Sequence, residues 1–272
     1  MEKFISYKNS KIQYWKYGKG AVPLICLHGF GQDGSRFSFL QKITADRFTL
    51  FPISLPFHAG TQWNEGLLFT QKDLYEIIVL ILKENIESPD PQQVSLLGYS
   101  MGGRLALAFF EEYPSFIKNI YLAAPDGLHS NRWFWFATQT ALGNRWFRQI
   151  LERPHRFISL TKRLVHKRLF NAGIEEFVDY YMNNEEVRLQ LYQRWTSFRK
   201  FVPHLINIKK LLVVHDIKIN MLFGKTDRLI RYQTGEMFQK GYESSIRIIL
   251  LDTGHHLLQE RYQVAWRDLL NG

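Results

Sequence analysis

The run GYSMGG, Gly98 to Gly103, sets one serine among glycines where an apolar stretch gives way to another. Serine is a poor nucleophile at neutral pH. It attacks only when a base lies within hydrogen-bond reach, a third group orients that base, and donors await the developing oxyanion. A G-x-S-x-G turn between a strand and a helix holds the serine on a sharp backbone bend, and its glycines let neighbouring elements approach closely. Gly98, Ser100 and Gly102 have that spacing. An acid and then a histidine should follow along the chain. FGKTDRLI places Asp227 after one apolar run, and LLDTGHH places His255 and His256 after the last one.

These residues need elements that bring them to one edge. KFISY and KIQYWKY, separated by KNS, read as a β-hairpin. VPLICLH, FTLFPISL, QVSLLGY, FIKNIYLAAP, IKINMLFG and SIRIILLD are short, nearly continuous apolar runs, as strands covered on both faces require. Between them lie helical patterns. TQKDLYEIIVLILKEN carries Leu74, Ile77, Ile78, Ile81 and Leu82 on one stripe with Thr70 as N-cap. MGGRLALAFFEEYP ends at Pro114, and YQTGEMFQKGY and LLQERYQVAWRDLL follow later. Strand–helix alternation predicts an α/β fold, a mostly parallel sheet with helices on both faces. Active sites of such sheets gather at the C-terminal ends of the strands. Ser100, Asp227 and His255 or His256 all fall there.

One segment breaks the alternation. Residues 128–205 show no convincing strand and read as helical, aromatic and basic. That is too long for a loop, so it is expected to be an inserted cap, with 1–127 and 206–272 forming the core domain. Between Leu128 and Ile208 there are 13 Lys and Arg against 6 Asp and Glu, which concentrates most of the chain's net charge of +10. Trp133, Phe134 and Trp135 open the cap and are candidates to line an apolar substrate pocket, with His256 as a fourth.

Composition excludes several classes. With 272 residues, 46% of them hydrophobic, the chain has enough apolar content for a sizeable core. No stretch reaches the roughly 18 apolar residues that span a bilayer. The N-terminus has no apolar signal region, so a cytoplasmic location is expected. The lone Cys26 lies in a strand-like run and reads as core. No metal-ligand spacing or P-loop is present, and neither metal nor cofactor is expected. Net charge alone supports no nucleic-acid role.

The motifs together resemble those of the α/β-hydrolase fold family, of the cap-bearing kind. The resemblance covers the core from about residue 10 to 126 and from 215 to 270. HGFGQ (His28 to Gln32) is similar to the family's oxyanion loop, GYSMGG to its nucleophile elbow, FGKTDRLI to its acid loop and TGHH to its histidine loop. The resemblance implies an eight-stranded sheet, Ser100 as nucleophile, Asp227 as acid and His255 as base. The main-chain N–H groups of Phe30 and Met101 would be the oxyanion donors. The family's histidine follows a glycine, which favours His255 over His256. Asp126, after the sixth strand, stands where some relatives place the acid and is the alternative. In LPFHAGT, Phe57 and Ala59 replace two glycines of the family's usual pattern around His58.

The implied activity is a serine hydrolase cleaving an ester with an apolar acyl or alcohol group through an acyl-enzyme. Alternatives on the same triad are a lyase, a thioesterase, an acyl-carrier esterase or a slow-hydrolysing ligand sensor. The basic cap suits a small-molecule substrate alone, or one presented by an acidic carrier protein or an anionic membrane surface.

Overall fold

The computed structural model describes residues 1–44, 46–87, 93–129, 132–155, 157–159, 163, 182 and 184–271. The chain forms two compact units. The first comprises Met1–Glu65, Phe69–His129 and Lys200–Gly272; the second comprises Gly66–Leu68 and Ser130–Arg199.

The first unit is built on eight strands: β1 (Glu2–Tyr7), β2 (Ser10–Trp15), β3 (Val22–Leu27), β4 (Phe48–Ile53), β5 (Val94–Tyr99), β6 (Ile117–Ala123), β7 (Lys218–Gly224) and β8 (Ile246–Leu251). They lie in the order β1-β2-β4-β3-β5-β6-β7-β8. β1 and β2 are an antiparallel hairpin closed by Lys8 and Asn9, and β2 meets β4 antiparallel; every later pairing is parallel. Pro52 sits inside β4 and lacks an N–H. The fold tolerates it because β4 pairs with β2 through the single register Tyr14↔Ile53.

Around the sheet pack α1 (Gln41–Thr44), α2 (Gln71–Asn85) and α3 (Met101–Glu112). In the second unit lie α4 (Arg132–Gln139), α5 (Ala141–Glu152) and α6 (Glu185–Ser197); back in the first come α7 (Leu205–Val214), α8 (Tyr232–Gln239) and α9 (Gln263–Asn271). α2 starts on a capping box: the Thr70 side chain accepts from the Asp73 N–H, and the Asp73 carboxylate accepts from the Thr70 N–H. The last helix is shorter than its sequence pattern. Leu257 and Leu258 belong to a buried loop, and α9 begins only after a 3-10 turn at Glu260–Tyr262.

Strand alternation sorts the core onto two faces. Leu24, Cys26, Leu97, Tyr99, Tyr121, Ala123 and Leu222 share one face with Trp266, Leu269 and Leu270 of α9. Ile25, Leu27, Leu96, Ile120, Leu122, Met221 and Phe223 are buried on the other, where α3 packs. Each such buried aliphatic or aromatic side chain contributes about 1.5–3 kcal/mol.

Most of the second unit, Ser130–Arg199, is inserted between β6 and β7, and the elements described in it are helices. Phe147 lies 5.7 Å from the Tyr192 ring and 5.4 Å from the Trp195 ring, and Leu151 and Leu191 are buried with it. The Asn144 amide joins the helices by donating to the Ala137 carbonyl and the Thr196 hydroxyl. No helix among the described residues is long and apolar enough to cross a membrane.

Candidate active site

β5 ends at Tyr99 and α3 begins at Met101, so Ser100 is the whole of the turn between them. Its backbone sits at φ 51°, ψ −116°, a strained conformation for a residue with a side chain. Three main-chain bonds hold it there. The Ser100 N–H donates to Ala123 O, and the Ser100 carbonyl accepts from the N–H groups of Gly103 and Asp126, each at 2.9 Å. The glycines are needed for close approach. A Cβ on Gly98 would lie 2.6 Å from Gly102 O, and one on Gly102 would lie 2.0 Å from Leu27 O.

The Ser100 hydroxyl faces His255. Its Oγ is 3.1 Å from His255 Nε2, and His255 Nδ1 is 2.7 Å from Asp227 Oδ2. An ionised carboxylate accepts only, so Nδ1 carries the proton and Nε2 is left to accept from serine. The Asp227 side chain is fully buried. Burial opposes its ionisation, but the hydrogen bond from His255 and the N–H groups of Ile230 and Leu229 outweigh that, holding the carboxyl below its ordinary range. The three side chains come from the ends of β5, β7 and β8 and form one hydrogen-bonded chain. Such a chain can draw a proton from a serine and stabilise the imidazolium that results.

The β3 loop lies against the serine. A Cβ on Gly29 would fall 3.3 Å from the Ser100 Cβ, so the following residue, Phe30, begins its main chain beside Ser100. Met101 is the first residue of α3, where N–H groups have no intrahelical acceptor. His28 is committed elsewhere. Its Nε2 accepts from the Leu55 N–H and its Nδ1 donates to Gly29 O.

His256 is exposed, with its ring 6.3 Å from that of His255, and it is His255 whose ring reaches both Asp227 and Ser100. Asp126 has a different partner: its Oδ2 is 3.4 Å from Nε of the buried Arg104, and its Oδ1 accepts from the Gly127 N–H. Arg104 was visible in the sequence as one charge in the apolar run RLALAFF but carried no role there. In the second unit, Trp135 is 56% exposed, and Trp133 and Phe134 fall outside the residues whose side chains are described. Phe57 and Ala59 have positive φ, 63° and 44°, the backbone region that favours glycine. Among the described residues, no cluster of His, Cys, Asp or Glu is arranged to hold a metal ion.

A family model described as the alpha/beta hydrolase family matches residues 24–267. The uncharacterized hydrolase YugF of Bacillus subtilis is 21% identical over 244 residues, covering 89% of this chain and 86% of its own. A pimeloyl-[acyl-carrier protein] methyl ester esterase of Wigglesworthia glossinidia brevipalpis is 22% identical over 80% of each chain. Among solved structures, a thermophilic esterase from Thermogutta terrifontis superposes with a TM-score of 0.67 at 15% identity, over 100% of this chain and 98% of that one. With a family model matched over most of its length, on a sheet of the same architecture, the chain belongs to the alpha/beta hydrolase family and is a hydrolase.

Proposed function

We propose that this hydrolase cleaves carboxylic esters through Ser100, His255 and Asp227. The unbroken hydrogen-bond chain from Ser100 Oγ through His255 to Asp227 carries the reading. In the proposed reaction His255 Nε2 takes the hydroxyl proton as Ser100 Oγ bonds to the acyl carbon. The carbonyl oxygen gains charge and is met by the N–H groups of Phe30 and Met101. As the intermediate collapses, the ester C–O bond breaks and Nε2 returns the proton to the departing alkoxide. Water then attacks the acyl-enzyme, giving its proton to Nε2, and release of the acid regenerates Ser100. Asp227 stays ionised throughout and holds the imidazole tautomer. This sequence requires neither metal nor organic cofactor.

The cap supports a substrate with an apolar chain on an anionic bearer. Trp135, Leu142 and Trp146 are exposed on α4 and α5, and Arg145 and Arg148 are exposed on α5. The basic excess of the segment points the same way. An acyl-carrier ester and an anionic lipid both fit that chemistry. Greater efficiency on the carrier ester than on a matched small ester, suppressed by salt, favours the carrier. Co-sedimentation with anionic but not neutral vesicles favours the lipid. Neither result with either partner refutes the bearer.

Fluorophosphonate labelling tests the nucleophile. The expected result is labelling of the wild type and none of Ser100→Ala, with a p-nitrophenyl ester panel showing the same dependence. Equal turnover by a folded Ser100→Ala refutes it.

A further inference from the structure

We infer that Tyr99 is a positioning residue for the base, its hydroxyl holding the main chain of His255 in place against the strand that carries Ser100. This rests on the roles proposed above for Ser100 and His255. The hydrogen bonds of the His255 ring fix how the ring turns, but they leave open where its backbone sits. That backbone lies in an irregular segment between β8 and the 3-10 turn at Glu260–Tyr262. Several contacts tether the segment. The Thr226 N–H donates to Thr253 O, Thr253 Oγ1 lies 2.6 Å from the Tyr262 hydroxyl, and the Trp266 indole donates to Leu257 O. These ties run to the acid loop and the C-terminal elements. The bond from Tyr99 Oη to His255 O, 2.9 Å across 156 residues of sequence, runs to the nucleophile strand itself.

Tyr99 is suited to act as a fixed anchor. It is 2% exposed in the core cluster with Leu257 and Trp266. A Cβ on Gly29 would lie 3.0 Å from its ring, so the oxyanion loop packs on it as well. The ring is tilted over the His255 imidazole at 5.5 Å between centroids. One side chain thus touches the loop bearing the proposed oxyanion donor, adjoins the nucleophile and bonds the base. A phenylalanine would fill the same apolar space, so the hydroxyl is there for its hydrogen bonds, to His255 O and with the Leu257 main chain, both in the loop that carries the base. Burial, reinforced by the Asp227 carboxylate, pushes its pKa up to about 12, which keeps it a proton donor over the working pH range.

Tyr99→Phe separates this role from packing. The His255 carbonyl also accepts from the Leu257 N–H at 2.8 Å, so the substitution leaves it satisfied and the variant is expected to fold. Two readouts are taken on wild type and variant. Amide hydrogen exchange over residues 253–257 is expected to quicken at least fivefold in the variant. On a p-nitrophenyl ester, kcat is expected to fall about 5- to 20-fold with KM within twofold, a drop of about 1–2 kcal/mol in transition-state stabilisation. Placing 4-aminophenylalanine at position 99 restores a donor on the same ring and is expected to return kcat to within twofold of wild type. Unchanged exchange in the loop, or unchanged kcat in a folded Tyr99→Phe, overturns the inference. Failure of the nucleophile reading shows separately, as ester turnover by Ser100→Ala. The anchoring of the loop is then decided by exchange alone.

Discussion

Gly102→Ala tests how the turn at Ser100 is built. The added methyl would lie 2.0 Å from Leu27 O, 2.5 Å from Leu27 C and 2.8 Å from His28 O. All three are main-chain atoms, so no rotamer change relieves them. Reaching an ordinary contact of about 3.4 Å requires the start of α3 and the end of β3 to part by about 1.4 Å. Overpacking of this kind costs about 1–3 kcal/mol, and the better helix propensity of alanine returns up to about 1 kcal/mol. A net loss of about 1–2 kcal/mol lowers Tm by only a few degrees in a chain of this size.

Activity should suffer far more than stability. Leu27 leads through His28 and Gly29 to Phe30, and Gly102 directly follows Met101, so the same opening separates the two proposed oxyanion donors. A misplacement of about 1 Å costs about 10²-fold, and loss of one donor costs about 10²–10³-fold. The assay pairs kcat on a short p-nitrophenyl ester with far-UV melting, at a temperature where both proteins are folded. Gly254→Ala is the contrast. Gly254 directly precedes His255, yet a Cβ there meets nothing within 4 Å, so kcat should stay within about threefold of wild type. A Gly102→Ala protein with wild-type kcat and Tm refutes the close-approach argument.

Asp227→Asn should cut kcat by about 10³–10⁴-fold with little change in KM, because the amide no longer holds the proton on Nδ1; a loss under tenfold speaks against its role. The same substitution tests linkage. The Asp227 carboxyl is held below its unfolded value, so its contribution to stability is present above about pH 4 and lost as pH falls through the native pKa. Acid unfolding midpoints should show that this part of the pH dependence vanishes in the variant. Thr70→Ala should lower stability by about 1 kcal/mol in urea, since it removes the capping acceptor of α2. Ala59→Gly should raise stability by about 0.5 kcal/mol, relief of the left-handed strain at φ 44° outweighing the entropy glycine adds to the unfolded chain; a lower urea midpoint counts against the strain.

Much of the architecture was legible because its signals are local. Periodicity located all eight strands, and the Thr70 cap fixed the start of α2. The last helix was read too long because Leu257 and Leu258 are apolar and follow a strand. They are buried as loop residues, and the Trp266 indole bonding to Leu257 O helps hold them there. The aromatic residues of the second unit divide in a way the sequence does not mark. Phe147 is buried against the half-buried Trp195 ring, whereas Trp135 and Trp146 are exposed. Helical spacing shows that a stripe is apolar, not what covers it.

That Ser100, Asp227 and His255 meet was readable for the same local reason. Each stands on the few residues that follow a strand, and parallel strands deliver those residues to one edge whatever the sequence between them. The residues that hold them fast are different in kind. Tyr99 looks like any large core side chain, and the value of its hydroxyl depends on a carbonyl 156 residues away. Asp126 looks like a spare acid until the buried Arg104 is seen beside it. Its main-chain N–H, which no sequence pattern encodes, helps keep Ser100 at φ 51°. That strain persists only because bonds to both ends of the serine peptide over-determine it. A sequence therefore announces reactive groups through motif and order. The groups that immobilise them have no motif, because many residue types could supply the same hydrogen bond from many places in the fold.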